Sequence, residues 1–349
     1  MEKKRVVIGL SGGVDSSCSA IILKEAGYDV YGLTFKIGYE NSDIKEAEII
    51  AEKLGINHKI VDIKEEFRDK VISYFLDGYM TGKTPSPCLI CNREIKFAVL
   101  NSYAKEIEAE YISTGHYASI EERDGIVYLK RGKSIKKDQS YMLYRLEDDM
   151  IKKLIFPLAH KEKSEVREML EKNGVEFYEK GESQGICFAK SGYEEYIKEN
   201  LGSRITEGEI RDRAGTVLGK HKGYQLYTIG QRRGLGLDCG RPYFIVDIDM
   251  ADNLIIVGEY EELYRKRVEL EKEVFHGVYR EKIKDGFNCI ARPRFSSSGF
   301  SAFVKQEEAG VTVEYYEANP QNAPGQHLVI YDGEIVAGGG IIGSKGFYK

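Results

Sequence analysis

The hydrophobic pattern changes character along the chain. Residues 5–10 are almost continuously apolar, as in a strand buried on both faces, and in residues 14–26 the apolar positions return at helical spacing. The alternation then repeats. Residues 29–35 read as a strand, and residues 44–54 as an amphipathic helix with Asn41, Ser42 and Asp43 as candidate caps. Residues 58–62 make a third strand and residues 111–114 a fourth. Strands alternating with helices predict a doubly wound parallel sheet, whose ligands bind beyond the carboxyl ends of its strands.

Between residues 145 and 210 the texture differs, with a charged helix pattern over 161–172 and a weakly periodic loop over 181–190. From about Gly208 the chain is rich in strands and turns. Residues 243–248 and 254–257 are separated by a polar turn, residues 311–315 alternate with period two, and residues 327–331 and 334–337 flank the hairpin signal Asp332-Gly333. The expected architecture is α/β: a Rossmann-like parallel sheet over residues 1–145, a small central region over 146–207, and an antiparallel β-barrel region over 208–349.

Composition narrows the picture only in part. The chain has 349 residues, 42% hydrophobic and 31% charged, and a net charge of −5, so bulk charge does not predict nucleic-acid binding. No apolar run is long enough to span a bilayer, and the charged residues 1–5 lead straight into the first strand. A cytoplasmic protein without a membrane partner is expected. The six cysteines are too sparse for a disulfide scaffold. Cys18, Cys239 and Cys289 read as small buried hydrophobes.

The first candidate chemistry lies between the first strand and helix, in the stretch VIGLSGGVDSS of residues 7–17. A glycine turn there offers main-chain N–H groups and the positive end of a helix dipole to phosphate oxygens. It lacks the Walker lysine and the dinucleotide spacing. Asp15 beside a phosphate site makes sense if Mg2+ shares the charge. A second candidate is Cys88-Leu89-Ile90-Cys91, placed after two prolines at a helix start, where the dipole favours thiolate. Half of a zinc site is the competing reading, but it lacks a second ligand pair. Cys187 sits in a glycine-flanked loop.

S-G-G-V-D-S at residues 11–16 resembles the pyrophosphate loop of the ATP pyrophosphatases, which split ATP between its α and β phosphates. With T-P-S-P-C-L-I-C-N-R-E-I-K-F, T-G-H-Y, K-D-Q-S-Y, G-I-C-F, Y-T-I-G-Q-R-R-G and P-G-Q following in order to residue 326, the chain resembles the tRNA-specific 2-thiouridylases. The resemblance implies ATP on Gly9, Leu10, Ser11, Gly12, Gly13, Val14, Asp15 and Ser16, with Phe35 and Gly115 at the adenosine end. It implies adenylation of the 2-oxygen of the wobble uridine, a persulfide on Cys187 and a nucleophile in Cys91, which end the cycle as a disulfide. Ser86, Pro87 and Cys88 would meet the target base, and His116, Lys137, Asp138, Gln139, Arg294, Phe295 and Gln326 other parts of the tRNA.

The basic run Lys130, Arg131, Lys133, Lys136 and Lys137 suits phosphates. Phe295 beside Arg294 could stack on a splayed base. Family members place a methionine where Phe35 stands. Two departures stand out: many relatives carry aspartate at Cys88, and the stretch after Arg294-Phe295 reads Ser296-Ser297-Ser298-Gly299 where further basic or glutamine residues are expected. Three thiols at 88, 91 and 187 raise a second expectation, a 4Fe–4S cluster with one iron open to sulfide. A persulfide or sulfide donor is the implied partner. The competing functions are a nitrogen-transferring ATP pyrophosphatase and a non-catalytic metal- or RNA-binding protein.

Overall fold

A computed structural model describes residues 3–38, 42–173, 185–238, 240–345 and 347. The chain divides into two compact units. The first comprises residues 1–71, 88–184 and 334–336, and the second residues 72–87, 185–333 and 337–349.

The first unit is built on a five-stranded parallel sheet in the order β3-β2-β1-β4-β7: β1 (Arg5–Gly9), β2 (Asp29–Lys36), β3 (Asn57–Asp62), β4 (Tyr111–Ser113) and β7 (Leu154–Ile155). Val6, Val7 and Ile8 are fully buried because β1 is central and covered on both faces. The core beside it gathers Val6, Ile8, Leu10, Cys18, Ile21, Ala47, Tyr117 and Leu170. Strand order reverses at β1, between β2 and β4, which is where a doubly wound sheet opens its ligand crevice. A hairpin of β5 (Ala118–Arg123) and β6 (Ile126–Arg131) follows β4, turning at Asp124 and Gly125, both with φ in the left-handed region.

The second unit contains two β structures. A four-stranded sheet has the order β10-β11-β8-β9: β8 (Gly208–Asp212), β9 (Val217–His221), β10 (Phe244–Asp249) and β11 (Leu254–Gly258). The C-terminal strands are β12 (Arg265–Phe275), β13 (Phe287–Arg292), β14 (Phe300–Glu307), β15 (Gly310–Asn319), β16 (His327–Asp332) and β17 (Ile335–Ile342). They run β12-β15-β14-β13-β16-β17, and β12 pairs back onto β17 to close an antiparallel barrel. No helix among the described residues is long and apolar enough to cross a membrane.

Candidate active site

The glycine loop lies at the carboxyl end of β1. Helix Val14–Glu25 starts after Gly13 as its N-cap, and no side-chain hydrogen bond caps it. The serines shape the turn instead. Ser16 Oγ donates to Gly13 O at 3.1 Å and accepts from Ser11 N at 3.2 Å, and Ser17 Oγ donates to Gly13 O at 2.9 Å. Gly12 has φ +75°, and a Cβ there would stand 2.7 Å from Glu46 Cβ and 2.8 Å from Ala47 N, so only glycine fits. Gly115, just past β4, packs its backbone on the same turn: a Cβ would lie 2.8 Å from Ser16 N and 2.9 Å from Asp15 C. The ring of Phe35 stands near Gly9, 3.8 Å from the position of its absent Cβ. Gly9, Gly12, Asp15, Ser16, Phe35 and Gly115, all expected from sequence to hold ATP, thus lie around one turn.

Asp15 is held from the side. Tyr117 Oη donates to Asp15 Oδ1 at 2.8 Å. Burial, then the Asp15 charge, pushes the Tyr117 phenol far above its ordinary range, so it stays a donor. Lys163 opens the helix Lys163–Lys172, within the charged pattern over 161–172. Burial lowers its pKa, the Lys137 charge beside it lowers it further, and Asp15 opposes both. Lys137, Lys163 and Asp15 therefore lie within electrostatic reach of one another. Asp138 is buried, and its carboxylate accepts from Gly132 N at 3.3 Å and Ser140 N at 3.1 Å, which shapes the loop carrying Lys137 and Gln139. Lys133 and Lys136 are exposed, whereas Lys130 is paired with Glu121 and Glu334.

Cys88 and Cys91 sit on helix Pro87–Cys91, Cys88 exposed and Cys91 buried. A π turn over Asn92–Lys96 follows directly, and Asn92 Nδ2 donates to Met142 O at 3.0 Å. His116 is half-buried, bonded to Thr114 Oγ1 at 2.8 Å and packed against Phe97; burial, then Lys96, lowers its pKa. Cys18 and Cys289 are the inert thiols expected, their pKa values pushed up by burial to about 11 and about 12. Cys239 and residues 181–184 lie outside the described residues.

In the second unit Cys187 is an exposed thiol. The neighbouring Phe188 packs edge-on against Phe75 at 5.3 Å and Tyr196 at 5.0 Å. The segment ending at Ser86 and Pro87 is joined to the P-G-Q turn: Thr84 N donates to Pro324 O at 2.7 Å, and Gly325 (φ +84°) lies where a Cβ would meet Lys83 Cβ at 2.7 Å. Arg294 Nε donates to Gln321 O at 2.9 Å, ahead of the same turn, and Phe295 is 40% exposed. Five residues scattered through the sequence (Ser86, Pro87, Arg294, Phe295, Gln326) thus belong to a single unit, with the first two anchored at the turn holding Gln326. Among the described residues no group of three His, Cys, Asp or Glu side chains is placed to hold a metal ion.

Three family descriptions match in succession: a tRNA methyl transferase HUP domain over residues 4–191, a tRNA methyl transferase PRC-barrel domain over 194–259, and an aminomethyltransferase β-barrel domain over 268–342. A tRNA-specific 2-thiouridylase of Fusobacterium nucleatum is 49% identical over 343 residues, covering 97% of this chain and 99% of that protein. The chain belongs to the tRNA-specific 2-thiouridylase family. Members from Clostridioides difficile (39% identical, 97% of this chain and 98% of that protein) and Caldanaerobacter subterraneus (42%, 98% of each) align just as fully. The matches run across both units.

Proposed function

We propose that this chain is an ATP-dependent tRNA-uridine 2-sulfurtransferase that replaces the 2-oxygen of the wobble uridine with sulfur. The observation that carries this reading is the full-length kinship with tRNA-specific 2-thiouridylases in a chain that contains both Cys91 and Cys187. A nitrogen-transferring ATP pyrophosphatase would share the loop but leave both thiols without a task.

In this reading the phosphates of ATP lie on residues 9–16, where the uncapped helix N-terminus supplies N–H donors, and the adenosine lies towards Phe35 and Gly115. Mg2+ fits the site as it stands: one carboxylate, Asp15, beside a phosphate cradle is the donor set this ion commonly takes, and it would neutralise the pyrophosphate oxygens. The 2-oxygen of the uracil attacks the α-phosphate, pyrophosphate leaves, and the oxygen becomes part of an AMP leaving group. The terminal sulfur of a Cys187 persulfide then attacks C2. The Cys91 thiolate attacks the inner sulfur, the S–S bond of the persulfide breaks, AMP departs, and a Cys91–Cys187 disulfide remains for reduction. The sulfur reaches Cys187 by transfer from a persulfide donor, whose own thiolate is the leaving group.

Residues 146–207 form the central region that presents Cys187, and the barrel region from 208 grips the tRNA through Arg294, Phe295 and Gln326. Ser86, Pro87 and Cys88 face the target base, and His116, Lys137 and Gln139 add contacts, with Asp138 shaping their loop. A 4Fe–4S cluster on Cys88, Cys91 and Cys187 is the alternative, and the two-cysteine route needs no step through it. Iron determination on anaerobically purified protein tests that alternative. The reading itself is tested by AMP release: it should require tRNA, and AMP formed equally without tRNA would defeat it.

A further inference from the structure

We propose that Tyr117 is a positioning residue for Asp15, and that Gln139 fixes Tyr117 in place. This rests on the pyrophosphate-splitting reading of the loop. The ring of Tyr117 is 3% exposed within the apolar core, so its hydroxyl emerges from packed surroundings at a fixed point, 2.8 Å from Asp15 Oδ1. A loop carboxylate beside phosphates would otherwise swing among rotamers, and each swing would move the charge that meets the metal. The phenol removes that freedom while leaving Oδ2 for the metal–phosphate side.

Gln139 clamps the backbone of Tyr117 from both directions. Its N–H donates to Tyr117 O at 2.8 Å, and its Oε1 accepts from Tyr117 N at 2.9 Å. A main-chain N–H can only donate, so the amide oxygen must face it, and the NH2 end is left for other partners. The same backbone continues towards the nucleophile: Met142 N donates to Gln139 O at 2.9 Å, and Met142 O accepts from Asn92, the residue after Cys91. One hydrogen-bonded frame thus runs from the ATP loop to the Cys91 helix, entirely inside the first unit.

The test uses Tyr117→Phe, which keeps the ring and its packing. Calorimetry follows Mg2+-dependent binding of an ATP analogue with a methylene in place of the α–β bridging oxygen. Loss of an outer partner of a metal ligand weakens binding roughly ten-fold or more, and AMP release should fall with it while tRNA affinity stays unchanged. Gln139→Ala should weaken analogue binding in the same way, and Gln139→Glu, which retains the acceptor for Tyr117 N, should restore it. That pair decides the matter should Tyr117→Phe fail to fold. Wild-type Mg2+ dependence in Tyr117→Phe or Gln139→Ala overturns the positioning role alone. A wild-type protein that neither binds the analogue nor releases AMP overturns the loop reading and this role with it.

Discussion

Replacing Gly115 by alanine should disable the ATP cradle through a single methyl group. The added Cβ would lie 2.8 Å from Ser16 N, 2.9 Å from Asp15 C and 3.1 Å from Asp15 O, all backbone atoms. Heavy atoms pack best at roughly 3.5–4.0 Å, and no flexible side chain is available to move aside. Two responses are open. If the fold holds the methyl in place, overpacking costs about 1–3 kcal/mol, seen as a melting temperature lower by roughly 2–4 °C per kcal/mol. If the helix start yields, Asp15 and Ser16 shift, and a misplacement approaching 1 Å costs on the order of a hundred-fold in rate. Ser11 and Gly13 are exposed and Val14 and Asp15 only half-buried, so the helix start should give way. tRNA-dependent AMP release should therefore fall at least ten-fold or so with a small change in melting temperature. Gly38→Ala is the control, because among the described residues nothing lies within 4 Å of its added Cβ. Gly115→Ala with wild-type AMP release and an unchanged melting temperature would refute the close approach on which the cradle depends.

Other perturbations separate the steps. Asp15→Ala should abolish AMP formation while leaving tRNA binding intact, as judged by filter binding alongside pyrophosphate release; normal release rules out the Asp15 role. Cys187→Ser and Cys91→Ser should each eliminate thiolation yet still release pyrophosphate, since adenylation precedes sulfur transfer; thiolation by either variant contradicts the two-cysteine route. Phe295→Ala should weaken tRNA binding by about 1–3 kcal/mol if the ring stacks on a base, and an unchanged affinity excludes it. His116 has its pKa lowered by burial, so the unfolded chain takes up a proton that the folded protein resists. Stability should accordingly be fully present above the ordinary histidine value of about 6.5 and decline as pH falls below it. Melts across that range should show the decline, and His116→Gln should reduce it; an identical slope in the variant removes His116 as a cause.

The parallel sheet was legible because its strands are apolar runs set between helical periods, and residues 5–10, 29–35 and 58–62 match β1, β2 and β3 closely. The β5–β6 hairpin went unread although Asp124-Gly125 is a strong turn signal, since its strands are half polar and follow a region that alternates with helices. The π turn after Cys91 left no trace in the pattern, because one extra residue per turn does not disturb an apolar period over so short a stretch. At the site, the glycine loop was readable because few sequences satisfy its backbone, as Gly12 shows. The Tyr117–Asp15 bond was not, since 102 residues separate the partners and only the folded sheet brings them together. Lys163 was hidden for the opposite reason: a lysine among charged helix residues looks like solvated surface until folding sets it beside Lys137.

The central claim is sulfur transfer to tRNA, and mass spectrometry of the wobble uridine addresses it most directly. Cells lacking the gene should carry uridine with oxygen at position 2, the wild-type gene should restore 2-thiouridine, and genes encoding Cys91→Ser or Cys187→Ser should not. Full 2-thiouridine in the cells without the gene, or restoration by either cysteine variant, would contradict the account.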